Sequence, residues 1–388
     1  RLGHEDTWYA GTGELTGASQ SADGAYYLGD GVFKSTDNGR SWAQIPSTVS
    51  GTPHSYDKST DLIWSVVTDP SSPDTSEVYV ATAGAILRSV DGGNTWRSVL
   101  ISSPSAYYCD LAISQTGVVY ATFSWIGFGS TGAGRRGVYR SVDGLKWTFI
   151  GPSFLPDSTR RIVAAIAPSN ERVLYFAAET PHAGKLGRNF QGDSVWGSIW
   201  KYTYDSGDGS GTGGGWEDLS ANVPSFGGSF GDFNPQFSYD LHIAVDPRDE
   251  DVVVLGGTNL YRTTNGFRDA SGSAWIGGYR NIPFTNEVIV PLSYPEHHSD
   301  QHRALFSRRD STVLFTASDG GVHYTGNFRD DTVQWQSLNR GYFTTQFYTV
   351  AYDRDHAGRM LLMGGMQDNG TWSTYDVDNS APWVQRGS

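Results

Sequence analysis

The sequence predicts an all-β fold, a seven-bladed β-propeller of four-stranded antiparallel blades. One observation is a repeated turn that reads Ser-x-Asp followed by Gly and then Trp, with copies at 35–42 and 89–96 and a shorter one at 141–147. The other is that tryptophans recur at intervals of roughly fifty to seventy residues, at Trp42, Trp96, Trp147, Trp216, Trp275, Trp335 and Trp383. A repeat of this length that contains four short strands is typical of propeller blades.

The repeated turn has a structural explanation. Asp37, Asp91 and Asp143 are placed to accept hydrogen bonds from nearby backbone amides, and the glycines supply the positive φ of a tight turn. The tryptophans that follow, Trp42, Trp96 and Trp147, cover their hairpins with a large apolar face. We therefore expect these residues to stabilise the blades and to take no part in ligand binding.

Apolar runs in pairs, such as 66–68 and 78–81, predict inner strands that are buried on both faces. A single domain over 1–388 follows, with blades at about 1–45, 62–100, 107–150, 160–220, 239–280, 298–339 and 344–386. The first blade lacks its innermost strand, because the second-strand segment 7–12 has no strand ahead of it. We expect the missing strand to come from a longer form of the chain or from a partner segment.

Composition narrows the function classes. The 388 residues carry a net charge of −13, which disfavours nucleic-acid binding, and contain no apolar run long enough to span a membrane. The single cysteine, Cys109, lies in an apolar run and predicts a buried thiol. Together with many glycines and tryptophans, this composition suits an exported bacterial protein at the cell surface or outside the cell.

Long insertions are expected on one face of the propeller, at 14–30, 46–61, 123–136, 179–197, 220–238 and 276–301. Functional residues concentrate on long loops that a rigid scaffold carries, so this long-loop face is the predicted ligand face. Its aromatic residues are candidates for stacking on sugar rings, above all Trp125, Trp196, Phe230 and Phe233. The alternative is that these loops bury their own rings.

Acidic residues follow several second strands at that face: Glu14, Glu179, Asp319 and Asp368. Glu14, Asp319 and Asp368 are candidates for the general acid and base of glycoside hydrolysis, and Glu179 for ligand binding. The same carboxylates suit Ca²⁺, and each of them alone also suits a simple turn.

The segment 296–302, Glu-His-His-Ser-Asp-Gln-His, is the richest local cluster of ligating side chains. On an extended strand, His298, Asp300 and His302 point to one side, which suits a transition metal. Because 240–242 repeats part of the pattern as Asp-Leu-His, the alternative is that these histidines form hydrogen bonds inside the channel.

The repeated turns resemble the Asp-box, or BNR, repeat of sialidase-type propellers. With segments 11–14, 298–302 and 364–370, the chain is similar to secreted bacterial propellers related to sortilin-type domains and to xyloglucanase-type glycoside hydrolases. That resemblance implies one propeller of a pair that clasps a glucan, with Glu14 near the position of the first catalytic acid.

Two functional hypotheses follow. The first is an extracellular module that recognises a polysaccharide or a cell-surface protein on its long-loop face. The second is a xyloglucanase-like glycoside hydrolase that acts on a β-glucan. Ca²⁺ or a transition metal at the channel mouth is the cofactor that either hypothesis allows.

Overall fold

The computed structural model describes residues 3–14, 27–72, 76–102, 106–126, 136–227, 230–280, 292–340, 347–353, 361–366, 369–375 and 383–387. Within these ranges the chain forms seven antiparallel sheets in chain order and a separate two-stranded ribbon, and it contains no α-helix. The predicted all-β fold class is confirmed. Asp368 lies outside the described residues, as does the side chain of Trp125.

The strands of the first four sheets follow the chain. Blade 1 contains β1 (Trp8–Gly11), β2 (Val32–Ser35) and β3 (Ala43–Gln44), and blade 2 contains β4 (Ile63–Thr68), β5 (Val78–Thr82), β6 (Ala85–Ser89) and β7 (Arg97–Ile101). Blade 3 contains β8 (Ala106–Ile113), β9 (Val119–Ile126), β10 (Gly137–Ser141) and β11 (Thr148–Phe149). Blade 4 contains β12 (Ile162–Ile166), β13 (Val173–Glu179), β14 (Lys185–Arg188), β15 (Ser194–Tyr204) and β16 (Gly214–Asp218).

The remaining sheets continue this order. Blade 5 contains β17 (His242–Val245), β18 (Val253–Gly256), β19 (Leu260–Thr263) and β20 (Ser273–Gly277), and the ribbon is β21 (Tyr279–Arg280) with β22 (Leu292–Ser293). Blade 6 contains β23 (Gln301–Phe306), β24 (Leu314–Ser318), β25 (Gly321–Thr325) and β26 (Gln336–Ser337), and blade 7 contains β27 (Phe347–Tyr352), β28 (Leu362–Met366), β29 (Thr371–Thr374) and β30 (Val384–Gly387). Short 3₁₀ turns lie at Pro46–Thr48, Ser59–Asp61, Gly211–Gly213, Ser220–Asn222 and Ala270–Gly272.

Two blades depart from four strands. Blade 1 has three, in the order β1-β2-β3, and among the described residues none forms a strand inside β1, as the sequence predicts. Blade 4 has a fifth strand because the long insertion after β13 turns back as β14 and extends the first half of β15. This extension enlarges blade 4 at the long-loop face.

Five buried apolar clusters join successive blades from blade 1 to blade 6. Cys109, for example, is buried in the cluster between blades 2 and 3, and burial raises the pKa of its thiol. Side chains on both faces of the inner strands contribute, which explains why these strands read as continuous apolar runs.

A cross-strand pair of an aromatic ring and a cation recurs beside these clusters. Tyr9 pairs with Lys34, Tyr79 with Arg88, Tyr120 with Arg140 and Tyr175 with Lys201. Each cation lies 5.4–5.9 Å from the centre of its ring. In blade 5 the ring is replaced by Val254, and the cation is Arg262.

Several of these pairs reach the turn of the following blade. Lys34 Nζ and the Tyr9 hydroxyl donate to Gly92 O at 3.2 and 3.3 Å, and Arg140 Nη1 donates to Asp208 O at 3.4 Å. Arg262 Nη1 donates to Phe328 O and, at 2.9 Å, to Asp330 O. These hydrogen bonds, here called inter-blade latches, run from blade 1 to blade 2, from blade 3 to blade 4 and from blade 5 to blade 6.

Blade 7 is packed differently. Every residue of β27 after Phe347 is exposed, including Tyr348 at 65% and Val350 at 54%. On β23 of blade 6, Leu305 is 64% exposed, whereas its neighbours Ala304 and Phe306 are buried in the cluster with blade 5. Among the described residues, none of the buried clusters includes a residue of blade 7.

The three predicted turns close on themselves. Asp91 accepts from Ser89 Oγ at 2.8 Å, from the Thr95 amide at 2.9 Å and from Thr95 Oγ1 at 2.7 Å. Asp37 makes the same set with Ser35 and Ser41. These bonds lower the pKa of both carboxyls to about 2.

Asp143 holds a shorter version of the turn through the Leu145 and Lys146 amides. The tryptophans are less uniform, because Trp42 is exposed whereas Trp96 and Trp147 pack against the clusters of blades 1–2 and 2–3. The turns of blades 5 and 6 use Asn265 and Asn327 in place of Asp, each bonded to the Thr two positions before it.

Candidate functional site

A cavity with a volume of about 660 Å³ lies on the long-loop face, over the central channel. Its walls come from the end of β1, from residues 27–29, from the start of β4 and from residues just ahead of β12 and β17. His302 of β23 completes the wall. Five blades therefore contribute to one site.

Glu14 lies in this cavity because the chain reverses sharply after β1. The Glu14 amide donates to Tyr27 O at 2.7 Å, and the Tyr27 amide donates back at 2.9 Å. Gly13 has φ +88°, and a Cβ there would lie 1.9 Å from Asp61 O, so only glycine fits. The backbone thus fixes where the Glu14 carboxyl enters the cavity.

The Glu14 carboxyl has mixed surroundings. Burial raises its pKa, and nearby Asp319 raises it further. His302 and then Arg161 oppose the rise, and a hydrogen bond from the Tyr239 hydroxyl also favours the charged form. Desolvation is the largest influence, so the pKa of Glu14 stays above its ordinary value.

Asp319 and His302 form the second polar pair. His302 Nε2 lies 2.5 Å from Asp319 Oδ1, and His302 Nδ1 lies 3.9 Å from Asp240 Oδ1. The edge of the Tyr239 ring packs on His302 with the ring centres 4.9 Å apart. Asp319 and Glu14, predicted from separate blades, are thus brought to one site.

Two buried carboxyls, Asp240 and Asp300, lie next to this pair. Neighbouring carboxylates repel each other, and burial also disfavours their charged forms. Burial, with Asp319 nearby, raises the pKa of Asp300 to about 6.

The predicted metal geometry at 298–302 is not present. Asp300 has φ +60° and β23 begins only at Gln301, so the three side chains do not alternate along one strand. His298 Nδ1 lies 3.0 Å from the carbonyl oxygen of Ser299, while Asp300 and His302 contact other carboxylates. Within the described ranges, no group of three or more ligating side chains is arranged to hold a metal ion.

Glu179 is not free to bind a ligand, contrary to expectation. Its Oε1 lies 3.0 Å from Arg160 Nη1, and its Oε2 accepts from Ser238 Oγ at 2.6 Å. Burial raises its pKa, and Arg160 is the largest opposing influence. Glu179 therefore joins blade 4 to the segment before β17.

The predicted aromatic contacts also change. Phe233 is 2% exposed and belongs to the cluster between blades 4 and 5, so it cannot contact a ligand. Phe230 stacks on Phe190 at 5.0 Å, outside the cavity lining, and Trp196 packs beside His182 at 5.9 Å. These loops bury part of their own aromatic surface.

Three aromatic rings line the cavity, and sequence reasoning missed two of them, Trp64 and Tyr239. The third, Tyr27, belongs to the predicted long insertion 14–30. It also missed Arg161, whose guanidinium lies 5.1 Å over the Trp64 ring. A sequence signal existed at the inner strands β4, β12, β17 and β23. Each cavity residue lies within three residues of the start of one of them: Trp64, Arg161, Tyr239 and His302.

Among known proteins, the chain is similar to several solved structures at low sequence identity. No protein-family model matches the chain, and no curated protein matches it. Among solved structures, a GH74 enzyme of Niastella koreensis is 16% identical with a TM-score of 0.41, over 92% of this chain and 54% of that one. An ancestral GH74 enzyme is 15% identical with a TM-score of 0.47, over 99% and 50%.

A complex of KlAtg21 with the coiled coil of AgAtg16 is 9% identical with a TM-score of 0.43, over 93% and 94%. The chain spans about half the length of the two GH74 enzymes. We base no argument about the site on similarity at this level. In the described part of the chain, no helix is long and apolar enough to cross a membrane.

Proposed function

We propose that this protein is an extracellular glycan-binding propeller whose ligand, a polysaccharide chain, lies in the cavity over the channel. The observation that carries the proposal is the lining of that cavity, where Tyr27 and Tyr239 adjoin the polar groups of Glu14 and His302. Aromatic rings that stack on sugar faces, beside side chains that bond hydroxyls, are the combination that glycan recognition needs.

Charge and exposure support a glycan over other ligands. Tyr27 is 63% exposed, so its ring is available for stacking. The carboxyls of Glu14 and Asp319 disfavour nucleic acid, whose phosphates they would repel. Sugar hydroxyls, in contrast, both donate and accept hydrogen bonds. They can therefore bond the carboxyl of Glu14, the imidazole of His302 and the guanidinium of Arg161, which line the same cavity.

The test is binding of the purified chain to soluble xyloglucan, mixed-linkage β-glucan, xylan and pectin by titration calorimetry. We expect at least one neutral polysaccharide to bind, and Tyr27→Ala and Tyr239→Ala each to weaken binding by roughly tenfold. Trp42→Ala is the matched control, because Trp42 is exposed but lies in a turn outside the cavity. Equal losses from all three variants, or no binding at all, would contradict the proposal.

Hydrolysis is the second candidate function, and the position of Glu14 favours it. A carboxyl whose pKa is raised by burial, next to a second carboxyl, is the arrangement of a general acid and its partner in glycosidases. In this reading Glu14 protonates the leaving oxygen and Asp319 is the second carboxylate. Release of reducing ends from the bound polysaccharide should then fall as the pH rises through the pKa of Glu14.

Glu14→Gln separates the two functions. If the chain only binds, this variant retains affinity and neither protein releases sugar. If it hydrolyses, Glu14→Gln lowers the rate by about 10²-fold or more, since proton transfer to the leaving group is lost. Trp42→Ala, outside the cavity, serves as the control that keeps both carboxyls and their surroundings.

A further inference from the structure

Three consecutive residues just before β17 have left-handed backbone: Gln236 with φ 44°, Phe237 with φ 54° and Ser238 with φ 71°. None is glycine, and each such residue costs about 1 kcal/mol or more. A run of three persists only when its surroundings fix it. This left-handed turn therefore needs an explanation from its contacts.

Blade 4 supplies those contacts. Arg161 Nη1 donates to Ser238 O and to Tyr239 O, both at 3.1 Å. Ser238 Oγ donates to Glu179 at 2.6 Å and accepts from the Arg161 amide at 3.3 Å. Arg160, held by Glu179, lies 5.7 Å over the Phe237 ring.

The residue that leaves this turn is Tyr239, and its side chain crosses the channel. Its hydroxyl bonds the Glu14 carboxyl of blade 1, and its ring packs on His302 of blade 6. The turn thus links blade 4 to blades 1 and 6, which carry the candidate carboxyls of Glu14 and Asp319. A relaxed turn would point Tyr239 elsewhere.

We propose that this left-handed turn is a positioning device for the cavity. Arg161 and Glu179 hold Ser238, and Ser238 sets the direction of Tyr239. Tyr239 then orients both the Glu14 carboxyl and the sugar ring that contacts it. The part concerning the sugar rests on the proposed function, whereas the orientation of Glu14 does not.

The decisive readout is the titration of Glu14, followed by ¹³C NMR of selectively labelled carboxyls and assigned with Glu14→Gln. Ser238→Ala removes the hydroxyl that Glu179 holds. We expect the Glu14 pKa to rise, because the Tyr239 hydrogen bond that favours the charged form is weakened. Polysaccharide binding should weaken about three- to tenfold.

Two further variants separate positioning from simple stability. Ser238→Gly accepts φ 71° without strain, so it should lose less stability than Ser238→Ala and still raise the Glu14 pKa. Ser76→Ala, at another left-handed serine with φ 50°, should leave the Glu14 titration unchanged. Unchanged Glu14 titration in Ser238→Ala with a lower unfolding midpoint would show that the turn is only structural.

Tyr239→Phe keeps the turn intact and removes only the hydroxyl. An upward shift of the Glu14 pKa in this variant supports the proposal even if Ser238→Ala does not fold, and an unchanged titration overturns it. If Glu14 shifts in both variants but the parent protein binds no polysaccharide, the positioning role stands and the glycan proposal fails.

Discussion

The interface between blades 5 and 6 and the interface between blades 6 and 7 use opposite faces of the same sheet, yet they differ in packing. Toward blade 5, Leu314 and Phe328 are fully buried, and Arg262 holds the blade 6 turn. Toward blade 7, Leu305 remains exposed. Blades 1–5 each have a Lys or Arg next to the last residue of the third-strand repeat. Blade 6 has Tyr324 at this position, and its hydroxyl donates to Gln336 within its own sheet at 2.8 Å.

This contrast shows that the four-stranded repeat and its turn are not sufficient to pack one blade closely against the next. Each closed interface has an apolar cluster and a basic residue on the third strand, and at the 1–2, 3–4 and 5–6 interfaces that residue donates to the next turn. Blade 6 lacks the cation, and its paired rings Phe315 and Tyr324 stay half-buried 6.1 Å apart. Joining blades therefore depends on a few positions outside the turn motif.

The sharpest test compares two leucines of blade 6. Leu314→Ala should lower the free energy of unfolding by about 2–5 kcal/mol, because it leaves a cavity in a closed cluster. Leu305→Ala should lower it by less than about 0.5 kcal/mol, since its side chain is already exposed. Urea unfolding measures both, and similar losses would mean that the 6–7 interface closes in solution.

The next largest effect concerns the buried acid between blades 5 and 6. Folding raises the pKa of Asp300 from its ordinary 3.8 to about 6. The protonated carboxyl therefore stabilises the fold fully below pH 4, and this stabilisation is lost as the pH rises through about 6. Asp300→Asn should therefore gain about 3 kcal/mol relative to the parent between pH 4 and pH 7. Asparagine also tolerates φ +60°.

The exposed Asp310 is the control, because hydrogen bonds from Thr312 lower the pKa of its carboxyl. Asp310→Asn should therefore show no comparable change in relative stability between pH 4 and pH 7. A flat pH dependence for Asp300→Asn would mean that folding does not raise the pKa of Asp300.

The latch gives a smaller effect. Arg262→Met leaves two carbonyl oxygens of blade 6 without their donor and should lower the free energy of unfolding by about 1–3 kcal/mol. Tyr324→Phe, the change at the equivalent position of blade 6, should cost less than about 0.5 kcal/mol, because its hydrogen bond is exposed. Equal costs would remove the cation from the explanation of the closed interfaces.

The smallest effect is expected at the turn of blade 2, which blade 1 contacts through Gly92. Asp91→Ala should lower the thermal midpoint, while Asp91→Asn should retain most of it, since blades 5 and 6 already use Asn. With the pKa of Asp91 lowered to about 2, its stabilisation is present above pH 4 and lost as the pH falls through about 2. Ligand binding should not change in either variant.

Much of the fold was predictable because its signals are local. The turns that contain Asp37 and Asp91 depend on bonds within one hairpin, and the period of tryptophans follows from repeating that hairpin. The open 6–7 interface was not predicted, because the exposure of Leu305 depends on how two sheets pack against each other and not on a local sequence pattern. Its one sequence signal is Tyr324, in the place that Lys or Arg occupies in five earlier blades.

The site was predictable only in part. Glu14 and Asp319 were found by comparing the ends of second strands. That comparison succeeds because equivalent strand ends lie on the same face of the propeller. His298, Asp300 and His302 were assigned to one strand, but a left-handed residue at Asp300 breaks the alternation. Tyr239 was missed because its direction depends on a turn that residues of another blade hold.

In every latch the donor belongs to the earlier blade and the acceptor to the turn of the later blade. Such an interface joins two different surfaces and is called heterologous in protein assemblies. Every blade from 1 to 5 offers a basic side chain on one face and a turn on the other, so neighbouring blades join head to tail. Such contacts can be repeated without redesign, as in rings and filaments of identical subunits. Duplicating one interior blade together with its turn should therefore create two compatible junctions and no mismatched one.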